Sequence, residues 1–457
     1  MTTRDTRSPM ACASPPAGAE SVMAGRSLWS ATAAPIDACP QLRSALQAQM
    51  AVIGAGYTGL SAALRLAEAG RDVVVLDGMD LGDGASGRNG GQVIAGLKYD
   101  PDVLEAMYGG GLGAKLVATV AAGPDLVFEL IRSHGIACEP VRNGWLQLAT
   151  SQSALGPIAA RARQWQARGA AVEMLSQADA ARLTGTQRYY GGLIDRRGGT
   201  VQPLAYVRGL ASAALRAGVR LFTHSAAIRL ERCDGQWRIH TRDGSVSCGQ
   251  IVFATNAYSD KFVEPLQRTV VAVPSMQVAT APLPVELRRS ILPGGQSVSD
   301  TWRLLRYFRL DAQGRLIMGS RGVFGNVPPA HAARLHYRAV REIYPQLAGI
   351  SFDYHWAGLV AMTPDHLPHL HEVAPGIVAG LGYNGRGVAM ATVMGTLLAR
   401  RLLGENAQDL GFPVTPVRPM RLHRFSRFGV VAAIQYLRAL DGAAAIAEKL
   451  TRRRRTM

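Results

Sequence analysis

The stretch Met50–Asp77, MAVIGAGYTGLSAALRLAEAGRDVVVLD, constrains this chain more than any other. An apolar run, Met50–Ile53, leads into Gly54-Ala55-Gly56-Tyr57-Thr58-Gly59. A helix-like segment stopped by Gly70 follows, then Val73–Leu76, which ends on an acid. This order predicts a βαβ unit with a dinucleotide fingerprint in its first turn. Gly54 suits the tight turn out of the strand, Gly56 lets a pyrophosphate approach the backbone, and Gly59 lets the helix pack closely on the sheet. The helix start at Tyr57 and Thr58 offers unpaired N–H groups and partial positive charge to the phosphates. Asp77, 23 residues after Gly54, closes the second strand where a carboxylate can accept hydrogen bonds from ribose hydroxyls. Glycine-rich turns are common in a chain with 50 glycines, so the order of the elements, and not the glycines alone, specifies an adenine dinucleotide.

The segment after Asp77 narrows the cofactor. It runs Leu81-Gly82-Asp83-Gly84-Ala85-Ser86-Gly87-Arg88-Asn89-Gly90-Gly91-Gln92, where a plain nicotinamide-binding domain would pass to its third strand. In its GASGRNGGQ stretch the chain resembles the D-amino-acid-oxidase-like FAD oxidoreductases, and most closely their γ-glutamylputrescine oxidoreductase branch. Further segments resemble the same family: Tyr190–Leu193 with Gly198–Pro203, Ile251–Tyr258, and Gly380-Leu381-Gly382-Tyr383-Asn384-Gly385-Arg386-Gly387-Val388. The resemblance spans roughly Ser27 to Leu440. It implies FAD, with Ala85, Ser86, Arg88, Asn89, Gly90 and Gly91 wrapping the pyrophosphate and passing along the isoalloxazine ring. Ala227 and Ala254 would lie against the cofactor. Gly382, Asn384, Gly385, Gly387 and Val388 would form a second flavin loop, with a helix N-terminus behind it where negative charge gathers on the ring.

The implied fold is an α/β FAD-binding domain, Rossmann-like and of glutathione-reductase type, interleaved with an α+β substrate domain built on an antiparallel sheet. A chain of 457 residues suits two such domains. Residues 1–48 read as a leader, partly disordered. Residues 49–97, 191–262 and 352–405 read as the FAD-binding domain in three pieces, and 98–190 and 263–351 as the substrate domain. The patterns predict helices over Val103–His134, Ser153–Gly169, Leu204–Ala217 and Val388–Leu403. They also predict a hairpin of Gln236–Thr241 with Val246–Ala254 about the Asp243-Gly244 turn, and substrate-domain strands at Met276–Ala279, Leu305–Leu310 and Arg315–Gly319.

Composition excludes several classes. The cysteines Cys12, Cys39, Cys138, Cys233 and Cys248 show no metal-type spacing and no paired pattern, so no metal site is expected and a reducing compartment is. No apolar run approaches the roughly 20 residues of a membrane span, and the N-terminal stretch has no secretory apolar block. The expected location is cytoplasmic. The net charge of +17 is almost all arginine, the lysines being Lys98, Lys115, Lys261 and Lys449 alone. Residues 416–457 carry ten basic residues against Asp441 and Glu448, a net of +8. There Phe428, Val431, Ile434, Tyr436, Leu437 and Leu440 recur at near-helical spacing, so 406–457 reads as a basic helix and tail. Such a helix docks on the enzyme itself, packs on a partner, or lies on an anionic membrane at its inner face.

The chemistry implied by the family is hydride transfer from a C–H bond α to an amine nitrogen onto the flavin. The resulting imine is hydrolysed by water, and the cofactor carries the difficult step. Candidate catalytic residues are Arg88 and Asn89 beside the ring, Tyr307 and Arg309 on a substrate-domain strand, Trp356 at the final return, and Arg386 in the second loop; Arg321 and Asn384 join them as pocket candidates. Relatives that attach FAD covalently carry a cysteine before the second loop. Trp356–His369 has none, so FAD should be non-covalent. Sarcosine-oxidase-like members hold a substrate carboxylate with a lysine where this chain has Ala389. Many relatives carry histidine where it has Thr200 and Gln202. The leading expectation is a small-molecule amine, γ-glutamylputrescine-like or related, oxidised with O2 as acceptor and H2O2 as product. The alternatives are a membrane-associated dehydrogenase passing electrons to a quinone or carrier, and a tRNA-modifying oxidase. The last is disfavoured because the basic excess is concentrated in the tail.

Overall fold

The computed structural model describes residues 27–321 and 329–455. Among them, strands form four sheets. The fingerprint strand Met50–Ile53 sits inside a seven-stranded sheet, flanked by Val73–Leu76 and Gln250–Phe253, with parallel pairing on both sides. Arg220–Phe222 extends the sheet beyond Val73–Leu76, and Ile377–Leu381 extends it beyond Gln250–Phe253, again in parallel. His369–Ala374 and Val414–Thr415 complete the far edge. Every residue of Met50–Ile53 and Val73–Leu76 is buried, as the continuous apolar runs of a doubly covered parallel sheet require.

The helix Tyr57–Glu68 packs on this sheet and against a second helix, Gly387–Leu402. Two glycines permit that double contact. A Cβ at Gly59 would collide with the carbonyl oxygen of Gly54, and one at Gly395 with the carbonyl oxygen of Thr58. The start of the fingerprint helix is thus clamped between strand turn and second helix.

The eight-stranded sheet runs Phe352–Met362, Val271–Thr280, Leu316–Arg321, Tyr307–Leu310, Ser297–Asp300, Trp145–Leu148, Gly192–Asp195, Val172–Leu175. Its pairs are antiparallel except Ser297–Asp300 with Trp145–Leu148. Trp356, Gln277, Gly319 and Tyr307 stand directly opposite one another across its first four strands. Directly paired residues point to one face, so these four form a row.

Several joins differ from the sequence expectation. Gly192–Asp195 is hydrogen-bonded on both sides within the eight-stranded sheet, and Phe352–Met362 pairs along its length with Val271–Thr280. The sequence pattern places both in FAD-domain pieces, 191–262 and 352–405. Side-chain pattern alone does not tell which sheet takes a buried strand, because both sheets bury such runs. The expected hairpin does form between Gln236–His240 and Ser245–Cys248. After Gly249, however, Gln250–Phe253 leaves it for the seven-stranded sheet. The single helix pattern over Val103–His134 resolves into Pro101–Tyr108, Gly110–Ala121 and Gly123–Ser133. From Ser27 onward the leader is ordered: Leu28–Thr32 is a helix whose Leu28 and Trp29 are buried. Residues 1–26 lie outside the described residues.

Gly395→Ala should cost about 1–3 kcal/mol by overpacking the helix crossing. The expected readout is a lower Tm together with weaker retention of cofactor, because the Thr58 carbonyl must move.

Candidate active site

One cavity of about 750 Å3 opens between the two large sheets, within the size range of small-molecule sites. Gly54, Gly56, Tyr57, Thr58, Asp77, Ala85, Ser86, Arg88, Asn89, Gly90, Ala227, Ala254, Asn384, Gly385, Gly387 and Val388 all line it, as do Tyr307 and Arg386. Gly59, Gly91 and Gly382 lie behind the wall. Their missing side chains let backbone pack against the Gly54 carbonyl, the Val201 carbonyl and the Thr363 methyl respectively.

The fingerprint end is organised around Asp77. Its carboxylate accepts from the Ala55 N–H at 2.7 Å and the Met79 N–H at 2.9 Å. Burial raises its pKa, against the pull of those two donors. The expected ribose contact therefore falls to the remaining lone pairs of a carboxylate already fixing the turn. Ser86 Oγ accepts the Tyr57 N–H at 3.0 Å, and Thr58 and Tyr383 share a hydroxyl contact of 2.5 Å. These bonds tie the glycine-rich loop and the second loop to the start of the fingerprint helix.

The loop Ala85–Gly91 is held from behind. The Arg88 carbonyl accepts from Gln277 Nε2 at 2.5 Å and from Trp356 Nε1 at 3.0 Å. The Asn89 carbonyl accepts from Trp29 Nε1 at 2.8 Å, and the Gly90 carbonyl from Arg309 Nε at 2.8 Å. The Asn89 side chain binds within the loop, donating to the Ala85 and Ser86 carbonyls and the Tyr57 hydroxyl and accepting the Gly91 N–H.

These contacts correct three of the expected substrate residues. Arg309 and Trp356 do not line the cavity. Arg309 lies two residues beyond Tyr307 on the same strand face, which carries it under the loop to the Gly90 and Val201 carbonyls. Burial lowers its pKa to about 10. Trp356, 1% exposed, packs edge-on against Trp29 with ring centroids 5.7 Å apart. Arg88 lines the cavity, but its guanidinium donates to the Asp83 and Ala357 carbonyls. The side chain of Arg321 lies outside the described residues.

The second loop presents bare backbone. Asn384, at φ 51°, is held by Thr363 and the Gly382 carbonyl. Its side chain is therefore committed to the loop. A Cβ at Gly385 or Gly387 would meet no protein atom within 4 Å, although both line the cavity. Arg386 donates to the Ala95 carbonyl at 2.7 Å and lies 5.3 Å over the Trp145 ring. Burial, and then the neighbouring Arg161, bring its pKa down to about 9.

Sequence reasoning missed the opposite wall: Gln277, Ser275, Asp300, Trp302, Trp145 and Gln147. Tyr307 hydrogen-bonds Ser275 at 3.0 Å, and burial pushes its phenol up to about 12, so it stays protonated. Gln277 Oε1 is buried without a protein partner, beside the position a Gly90 Cβ would take. Asp300 is 2% exposed and accepts the Trp302 and Arg306 N–H groups on Oδ1, while Oδ2 has no partner. Burial first, and Asp441 in addition, raise its pKa to about 7. Asp300 stands at a strand end, and nothing in the sequence tells which strand ends face the cavity.

The residues fit FAD. Two glycine-bare backbone turns and one orphaned buried amide oxygen face a single cavity behind a dinucleotide fingerprint. The family model for FAD-dependent oxidoreductases, DAO, matches residues 49–401. The chain belongs to this family. Within the DAO family it is 33% identical over 380 residues to gamma-glutamylputrescine oxidoreductase of Escherichia coli K12, covering 83% of this chain and 89% of that protein. It is 32% identical over 374 residues to a probable oxidoreductase, OrdL, of Haemophilus influenzae, covering 80% and 85%. The crystal structure of glycine oxidase from Geobacillus kaustophilus superposes with a TM-score of 0.68 at 22% identity, covering 81% of this chain and 99% of that one. L-amino acid deaminase from Proteus vulgaris gives the same TM-score at 21% identity, over 81% and 93%. This DAO-family chain is thus an FAD-dependent oxidoreductase, and the likeness to the two solved structures is one of fold.

Two expectations follow. Trp29→Phe removes the side-chain donor to the Asn89 carbonyl and should cost about 1–3 kcal/mol. Trp356→Phe should cost less, because Gln277 still serves the Arg88 carbonyl; chemical denaturation of both variants checks the order. For Asp300, the native state keeps a proton that the unfolded chain has lost between the ordinary carboxyl value and about 7. Stability should therefore fall as pH rises through that window. Asp300→Asn should flatten the dependence, read as Tm across pH 5 to 8.

Proposed function

We propose that the enzyme oxidises a C–N bond of a small amine to an imine, which water hydrolyses. The observation that carries this reading is the single cavity joining the fingerprint loop to the row of Gln277 and Tyr307 on the eight-stranded sheet. The similarity to gamma-glutamylputrescine oxidoreductase supports an amine of that kind. Bound FAD would supply the two-electron acceptor for a hydride leaving the carbon α to nitrogen.

In this reading Gly54, Gly56, Ala85 and Ser86 receive the pyrophosphate, Asp77 and Ala227 the adenosine end, and Gly385, Gly387 and Val388 the ring. Uncharged N–H groups at the start of Gly387–Leu402 offer partial positive charge there. The absence of cysteine from Trp356–His369 supports non-covalent binding. Arg88, Asn89, Arg309 and Trp356 act as positioning residues, because their bonds run to backbone and to each other's segments. Tyr307 and Gln277 are the polar groups offered to the substrate nitrogen. The free Gln277 Oε1 accepts a substrate N–H. Tyr307, kept protonated by burial, turns its proton to Ser275, which itself donates to the Ser320 carbonyl, and offers its oxygen lone pairs to the substrate. Because the α-hydrogen leaves as hydride, no side chain has to remove it as a proton. O2 as final acceptor, with H2O2 as product, completes the reading.

The test is anaerobic mixing of purified protein with an amine panel including γ-glutamylputrescine, putrescine, sarcosine and several amino acids. Bleaching of the flavin band by one amine, with colour and H2O2 appearing on admitting air, is the expected result. Bleaching without rapid return would replace O2 by another acceptor, and no bleaching by any amine would sink the amine reading. Gly56→Val should yield colourless protein, since its side chain would occupy the backbone approach beside Ser86 Oγ.

A further inference from the structure

The helix Ser426–Arg455 runs for 30 residues, about 45 Å at the standard rise. Val430, Ile434, Leu437 and Asp441 fall on one side of it by helical spacing. Ile434 is 4% exposed, and Val430 and Leu437 are half-buried. The Asp441 carboxylate accepts the Arg303 and Leu304 N–H groups at 3.3 and 3.0 Å and the Arg303 guanidinium at 3.2 Å. That side is docked on the enzyme.

Among the described side chains, the other side presents uncovered apolar groups. Phe428 is 75% exposed, Tyr436 66% and Val431 38%, and just before the helix Leu422 is 68% and Phe425 49%. Elsewhere among the described residues, exposed large hydrophobics are spread thinly along the chain. A concentration of this kind marks an interaction surface. It coincides with the most basic part of the chain, the net +8 of residues 416–457. Arg418, Arg421 and Arg424 are exposed within it, and Arg424 lies 4.7 Å over the Phe425 ring. No helix among the described residues is long and apolar enough to cross a membrane.

We infer that this uncovered face lies flat on an anionic lipid surface. Such a surface accepts both features at once, the rings and aliphatic groups entering the headgroup boundary while the arginines meet acidic headgroups. A second copy of this chain would bring +8 against +8, and a nucleic acid would match the charge but leave the aliphatic groups uncovered. The inference does not depend on the amine reading. It has a geometric corollary: Asp441 grips Arg303 and Leu304, and Arg303 and Leu305 line the cavity, so that wall would stand beside the lipid.

The test is co-sedimentation of the full-length holoenzyme with phosphatidylglycerol vesicles and with phosphatidylcholine vesicles. Binding to the first, weakened by salt, and none to the second is expected. Phe428→Ser with Tyr436→Ser should weaken it at least tenfold while flavin content and Tm stay unchanged. Arg421→Glu with Arg424→Glu should weaken it comparably. No sedimentation with phosphatidylglycerol, or undiminished sedimentation of the Phe428/Tyr436 variant, would overturn the inference. So would a concentration-dependent dimer abolished by that variant, or tighter binding to RNA than to vesicles.

Discussion

Three consecutive backbone carbonyls, those of Arg88, Asn89 and Gly90, are each claimed by a side-chain donor from elsewhere in the chain. A loop this rich in glycine has little stiffness of its own. Its shape comes from Trp29, Gln277, Arg309 and Trp356, which bind these carbonyls. Buried carbonyls are costly without partners, so the loop and its four donors are mutually dependent. The cavity wall, the seating of the leader helix and the placement of the eight-stranded sheet all depend on that arrangement.

The row Trp356–Gln277–Gly319–Tyr307 shows how one sheet serves two tasks. Trp356 and Gln277 grip the loop, and Gln277 and Tyr307 line the cavity. Gly319 leaves room for the Tyr307 ring, which a side chain there would displace. The sheet thus transmits its register directly to the spacing between loop and substrate wall. A one-residue slip would reverse every side chain of the row. Arg309 adds a fixed planar donor set beneath the same loop, a geometry that lysine does not reproduce.

Much of the cofactor end was legible in the sequence, because its requirements are local. A turn that needs Gly54 at φ 105° and a helix that needs Gly59 leave their mark within a few residues. Gly59, Gly91 and Gly382, whose motifs predict cofactor contact, serve packing behind the wall. The substrate end was less legible because it is assembled by pairing between distant strands. Tyr307 and Arg309 share a strand face, and only the position of the loop above them separates a cavity residue from a brace. Gln277 and Asp300 carried no local signal at all. Trp29 sat in a stretch that composition assigned to a leader, and its role appears only once Asn89 is placed beside it. Gln202, noted only as a departure from relatives, anchors that same helix by donating to the Trp29 carbonyl and caps the helix beginning at Pro203.

The residues that brace the loop span Trp29 to Trp356, and the cavity wall continues to Ala391. On a ribosome the fingerprint turn emerges well before the strands that shape its loop and the helix that closes the wall. Cofactor capture therefore waits for segments that follow the fingerprint by more than 300 residues. A chain stalled between them would expose the unbraced loop and an unfinished sheet edge to proteases.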